Sequence, residues 1–299
     1  MDTNDYTDPI CPFDLSQWQK EAPVESVPMD RIVAKEDEYL GKNDYAGAER
    51  HLLYWLREAE AGNDFRGAFQ IENELMGLYR KSGREEEARA HAGAALQMTE
   101  DPRIGAESTG AATAYINAAT VYKTFDRADE GIALFEKARK IYERDLLAGD
   151  ARLGGLYNNM ALALTDLGRA EEALELYEKA IAWMRKVPGS KLEIAISYLN
   201  ICDTLMARDA RVVNEAGEAT IEDDPEACLV VPGETDRQID EYLDRAWALL
   251  HDEDIPRNGY YAFVCEKCAP SYDYYGREEQ AAALRKSSEE IYRENREGT

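Results

Sequence analysis

Histidine is scarce: three in 299 residues. No zinc-protease His pair, phosphate loop or dinucleotide glycine pattern occurs, so catalytic, metal and cofactor sites are not expected. Cysteines number five, few and odd, which argues against a disulfide framework and makes a reducing cytoplasm the expected location. Apolar runs are short. None approaches the roughly 20 uncharged residues that cross a bilayer, so no membrane partner is expected. The stretch Met1 to Asp8 is polar and acidic, without the basic start and apolar run of a secretory signal. Basic side chains are outnumbered 35 to 60, for a net charge of −25. That surface repels a phosphate backbone, which excludes nucleic acid as the expected partner, and attracts basic peptides. The same acidity also solubilises an extended surface.

Glycine and proline are sparse too, at 20 and 10. The abundant residues are Ala, Glu, Leu and Arg, which favour helix. Hydrophobic residues make up 44%, enough for a core or one long solenoid. Short polar turns recur at Asn43-Asp44, Gly83-Arg84, Asp126-Arg127, Gly168-Arg169 and Gly276-Arg277. Their first three intervals are 40, 43 and 42 residues. Four residues before each turn stand Tyr39, Tyr79, Tyr122, Leu164 and Tyr272. Five after it stand Ala48, Ala88, Gly131, Ala173 and Ala281; twelve after it, Trp55, Ala95, Ala138, Ala180 and Ser288. This is the pattern of a helical hairpin. A large residue late in the first helix fills the space between helices, and small residues in the second let the backbones approach. Each hairpin leaves an apolar face that the next one covers.

The clearest copy runs from Tyr157-Asn158-Asn159-Met160-Ala161 through Leu164 and Gly168-Arg169-Ala170-Glu171-Glu172-Ala173 to Tyr177 and Ala180. Another contains Tyr115, Asn117, Ala118, Ala119, Tyr122, Gly131, Phe135 and Ala138. These residues resemble the tetratricopeptide repeat, with Tyr115, Tyr157 and Tyr198 where that family usually carries Trp. The long period is similar to that of kinesin light chains and bacterial peptide-sensing regulators. The resemblance covers roughly residues 29–295. It implies an all-α, right-handed superhelical solenoid of about six antiparallel helix pairs over 29–299. Residues 1–28, with Pro9, Pro12, Pro23 and Pro28, form an irregular extension. The fifth pair is interrupted. Its helices are expected at Leu192 to Ala207 and Asp236 to His251, around an irregular insert at about 208–235. There Val212-Val213 and Leu229-Val230-Val231 are candidates for a short hairpin.

The remaining chemistry-bearing residues have structural explanations. His51 and His91 occupy one repeat position, and His251 sits at a helix end whose dipole favours it. Cys265 and Cys268 form a CxxC, a spacing compatible with metal or redox chemistry. No further ligands lie at suitable spacing, and the repeat register puts both on a packed face. Glu171-Glu172 and Glu278-Glu279 follow turns, where helix starts favour carboxylates.

In the family the first helices line a concave groove. The ladder Asn117, Asn159, Asn200 is read mainly as hydrogen bonding between helices, with ligand contact as the alternative. The neighbouring stripe faces the groove. It supplies the candidate binding residues Asn73, Arg80, Lys81, Thr120, Lys123, Asn158, Thr165 and Asp203, interleaved with Ile116, Leu162 and Leu199. Arg80 and Lys81 with Lys123 are expected to form a basic cluster for an acidic side chain or terminal carboxylate. The Lys, Asn and Arg set of chaperone-binding members is not reproduced. The expected function is a non-enzymatic scaffold binding a peptide or partner protein. The rival is an accessory or regulatory subunit of a bacterial enzyme or signalling complex. A remoter one is an enzyme site near the insert and Tyr260-Tyr261, Tyr272 and Tyr274-Tyr275. Self-association as a homo-oligomer is also open.

Overall fold

The computed structural model describes residues 24–218 and 233–297. Twelve helices occupy them, and the chain is an all-α solenoid. The helices pair as α1 (Met29–Leu40) with α2 (Tyr45–Ala61), α3 (Phe65–Lys81) with α4 (Glu85–Thr99), and α5 (Thr109–Thr124) with α6 (Ala128–Asp145). Then come α7 (Ala151–Asp166) with α8 (Ala170–Met184), α9 (Lys191–Glu218) with α10 (Glu234–Leu250), and α11 (Gly259–Tyr274) with α12 (Glu278–Glu297). From α3 onward each first helix also touches the next first helix, so α3, α5, α7, α9 and α11 form one inner layer.

The five turns aligned in the sequence share one backbone device. Asn43, Gly83, Asp126, Gly168 and Gly276 all have positive φ, at 56°, 73°, 58°, 71° and 73°. Only Gly, Asn and Asp visit that left-handed region readily, which explains which residues stand there. The next residue's N–H then reaches back to close the helix end. Asp44, Arg84, Arg127, Arg169 and Arg277 donate to the carbonyls of Tyr39, Tyr79, Tyr122, Leu164 and Tyr272 at 2.7–2.9 Å. The large residue four positions before each turn is thus the acceptor of the closing hydrogen bond as well as a packing group. A sixth such turn, at Asn63 (φ 55°), joins α2 to α3, where Asp64 N–H donates to Ala59 at 2.8 Å.

The small residues after the turns are buried: Ala48, Ala88, Ala173 and Ala281 are all 0% exposed. Gly131 shows why. A Cβ there would lie 2.8 Å from the Ala119 carbonyl, so α5 and α6 approach backbone to backbone. Three second helices, α4, α6 and α8, begin with an arginine that grips the acid three residues on: Arg84–Glu87, Arg127–Glu130 and Arg169–Glu172. Arg84 also reaches Glu49 on the preceding second helix at 2.9 Å, and Arg277 reaches Asp240 at 2.7 Å.

Histidine placement follows the repeat. His51 Nε2 lies 3.0 Å from the Ile32 carbonyl and His91 Nδ1 2.6 Å from Glu72 Oε2, each partner nineteen residues back. His251 caps α10 and lies 3.1 Å from the Trp247 carbonyl. Cys265 and Cys268 are buried among Tyr261, Val264 and Tyr272, and burial pushes the Cys268 thiol up to about 12. Among the described residues no group of three or more His, Cys, Asp or Glu is arranged to hold a metal ion.

The insert differs from expectation. Helix α9 does not stop at Ala207 but continues to Glu218, so Val212-Val213 are helical and not part of a hairpin. The cause is local: no proline and no glycine before Gly217 interrupts that stretch. Leu229-Val230-Val231 lie outside the described residues, and α10 starts at Glu234. Of the N-terminal extension, residues 24–28 are described. Glu25 N–H donates to the Gly62 carbonyl at 2.8 Å and Val27 N–H to Asp64 Oδ2 at 2.9 Å, tying the lead-in of α1 to the α2–α3 turn.

Candidate functional site: the concave groove

The inner layer is held together by polar side chains as well as core packing. Between α7 and α9, Asn158 Nδ2 donates to Ser197 Oγ at 2.8 Å, and Ser197 Oγ lies 3.0 Å from Asn158 Oδ1. Two turns on, the Thr165 and Thr204 hydroxyls share a hydrogen bond of 2.8 Å. Between α3 and α5, Asn117 Nδ2 donates to Asn73 Oδ1 at 3.1 Å while Asn73 Nδ2 donates to the Phe69 carbonyl at 2.9 Å. So Asn117, from the ladder, does bond one helix to another, and its partner comes from the stripe beside it.

The other stripe residues separate. Thr120 Oγ1 donates to its own helix at Ile116, 2.8 Å away. Asp203 accepts from the Tyr275 hydroxyl at 2.8 Å. Lys123 pairs with Asp166 at 3.1 Å, whereas Lys81 is exposed and its charge acts on Glu36 and Glu74. Arg80 is half-buried, and burial lowers its guanidinium from the usual range; no hydrogen bond or ion pair to it occurs among the described residues. Two of the three cations read together in the sequence therefore act on different carboxylates, and the third has none.

At the N-terminal end of the groove lies a cleft of about 940 Å³ between α1, α3 and α5. Its floor includes Met29, Val33, Phe69 and Asn73, and its acidic side Asp30, Asp37 and Glu74. Glu36, one residue before Asp37, is only 4% exposed, and its Oε2 has no hydrogen-bond partner. Burial, with the Glu74 charge second, pushes the Glu36 carboxyl up to about 7; burial likewise raises Glu74. These acids are absent from the stripe drawn on the sequence. Asp30, Val33 and Asp37 share one face of α1 by helical spacing, and Phe69 extends the Asn73 stripe by one turn, so a signal was present.

The tyrosines near the C-terminus serve helix docking. Tyr260 donates to Glu193 at 2.9 Å, Tyr272 to the Leu243 carbonyl at 3.0 Å, and Tyr275 to Asp203.

Comparison with known proteins places this geometry. The tetratricopeptide repeat family model matches residues 152–209, which span α7, α8 and the first part of α9. Residues 152–209 carry the tetratricopeptide repeat pattern. Solved tetratricopeptide-type arrays extend the likeness in fold. The nearly identical TPR-like repeats named for a Podosopora anserina kinesin light chain are 16% identical, with a TM-score of 0.51 over 76% of this chain and 96% of that one. BtubC (BKLC) from P. vanneervenii is also 16% identical, with a TM-score of 0.52 over 92% of this chain and 94% of that one. At this identity the likeness speaks for the fold alone. No curated protein matches the sequence. Among the described residues no helix is long and apolar enough to cross a membrane.

Proposed function

We propose that this repeat array is a protein-interaction scaffold that takes a peptide or a partner's surface into its concave groove. One observation carries the reading: the first helices build a continuous inner face whose cleft, of about 940 Å³, mixes apolar side chains with amides and charges. Such a surface suits a segment that presents apolar and polar contacts in alternation. Asn73 and Arg80 are the proposed contacts nearest the cleft. Lys81, Thr120, Lys123, Asn158, Thr165 and Asp203 extend the surface along the array. Asn158, Thr165 and Asp203 would serve a ligand only through the capacity that their interhelical bonds leave. The cytoplasm is the proposed location, supported by the buried, unpaired Cys202, Cys265 and Cys268.

A peptide array probed with the full chain tests the reading. Specific peptides should bind, and Arg80→Ala combined with Asn158→Ala should weaken them. A screen with no specific binder, or binders indifferent to every concave substitution, would remove the groove as the site.

A further inference from the structure

The α1–α3 end of the groove contains an electrostatic imbalance that no partner among the described residues resolves. Asp30 and Asp37 on α1 and Glu74 on α3 border the cleft, and the buried Glu36 precedes Asp37 on α1. Neither Glu36 nor Glu74 has a hydrogen bond or ion pair among the described residues; the Glu74 charge opposes ionisation of Glu36, and the Asp37 charge opposes that of Glu74. Their one cationic neighbour, Lys81, is exposed to water. The arginines on the opposite rim are otherwise engaged. Arg66 Nε donates to the Arg103 carbonyl at 3.3 Å, while Arg103 grips Asp101 at 2.8 Å and lies over the Phe65 ring. Apolar Met29, Val33 and Phe69 lie beside the acids.

Building on the scaffold reading, we propose that this end of the groove receives a cationic, amphipathic segment of a partner protein. Its Lys or Arg side chains would meet Asp37 and Glu74, and its apolar side chains would meet Val33 and Phe69. Charge selects this occupant over the alternatives within the chain. Residues 1–23 carry five acids against one base, and residues 219–232 carry four acids and no base. A second copy brings another net charge of −25. Each of these would be repelled, whereas a basic segment is steered inward by the whole protein's field. Asp37 is exposed, but Glu74 is partly buried, and a desolvated carboxylate rewards a cation more because water screens the pair less.

Fluorescence anisotropy of the full chain with a short labelled peptide of repeated Lys-Leu-Leu-Lys units tests the proposal. A Glu-for-Lys counterpart serves as the anionic probe. The groove variant is Asp37→Asn with Glu74→Gln. The control is Glu86→Gln with Asp129→Asn, two exposed acids at the starts of second helices, removing equal charge. Circular dichroism checks that both retain helix. The cationic probe should bind more tightly than the anionic one. The groove variant should weaken it about tenfold and the control less than about twofold. Equal losses in both variants, or preference for the anionic probe, overturn the proposal. If the anionic probe binds and Arg80→Ala releases it, the groove reading stands while the cationic assignment falls. If no probe responds to any concave substitution, both fall together.

Discussion

Midway along the concave face, Asn158 meets Ser197 and Thr165 meets Thr204 across α7 and α9. At the N-terminal end, Glu36 and Glu74 sit equally close to a helix interface with no such partner among the described residues. Both regions belong to one inner layer and obey one repeat register, yet they use polarity in opposite ways. Paired hydroxyls and amides fix the spacing of adjacent first helices at little net cost, since the paired groups satisfy one another. An unpaired buried carboxylate instead carries a standing desolvation penalty that a bound cation can relieve. The difference separates polar side chains that build the groove from those available to a ligand.

The comparison can be broken most severely by removing the core under it. Leu75 is 0% exposed, and Leu75→Ala should cost about 2–5 kcal/mol, read as a lower midpoint in urea unfolding. The next effect is specific to the unpaired end. Glu36 has a folded-state pKa of about 7, raised from 4.5, so the folded protein holds a proton that the unfolded chain has released. Stability from this group is full below about pH 4.5 and is lost as pH rises to 7, by at most about 3 kcal/mol. Glu36→Gln should therefore raise Tm at pH 7.5 and flatten the difference between pH 5 and 7.5. A variant that follows the wild-type pH curve would remove Glu36 as its source.

Within the paired region effects are smaller. Asn158→Ala or Ser197→Ala should each destabilise by about 1 kcal/mol, and a double-mutant cycle should show coupling of about 0.5–1 kcal/mol between them. Additivity would mean that the bond contributes nothing to spacing. Lys123→Ala, which removes a partly exposed ion pair with Asp166, should cost less than about 1 kcal/mol and fade further at high salt.

What the sequence disclosed depended on how local the cause was. The turns were legible because left-handed backbone restricts the residue, and the acceptor four positions earlier belongs to the same short motif. The turn at Asn63 escaped, although Asn63-Asp64-Phe65-Arg66-Gly67-Ala68 repeats the chemistry of Asn43-Asp44-Tyr45-Ala46-Gly47-Ala48. A search for intervals near forty residues passes over a turn that joins two hairpins instead of closing one. The extension of α9 escaped because helix formers carry no stop signal when no cap or proline follows. The acidic side of the cleft needs α1 and α3 brought together, which no single helical face reveals. Arg80 and Lys81 are adjacent in sequence but point about 100° apart on the helix, which is why one is half-buried and the other exposed.

The tight Asn63 turn has a mechanical meaning. It strings α1 to α4 on equally short connectors, whereas longer links at residues 100–108, 146–150 and 185–190 separate the later hairpins. Residues 24–28 are tied to the same turn, so the lead-in of α1 is anchored where α3 begins. The far wall is held to α3 in turn, by the bond from Asn117 on α5 to Asn73. A partner arriving there meets walls set in advance, so less ordering remains to be done on binding and shape is selected at first contact.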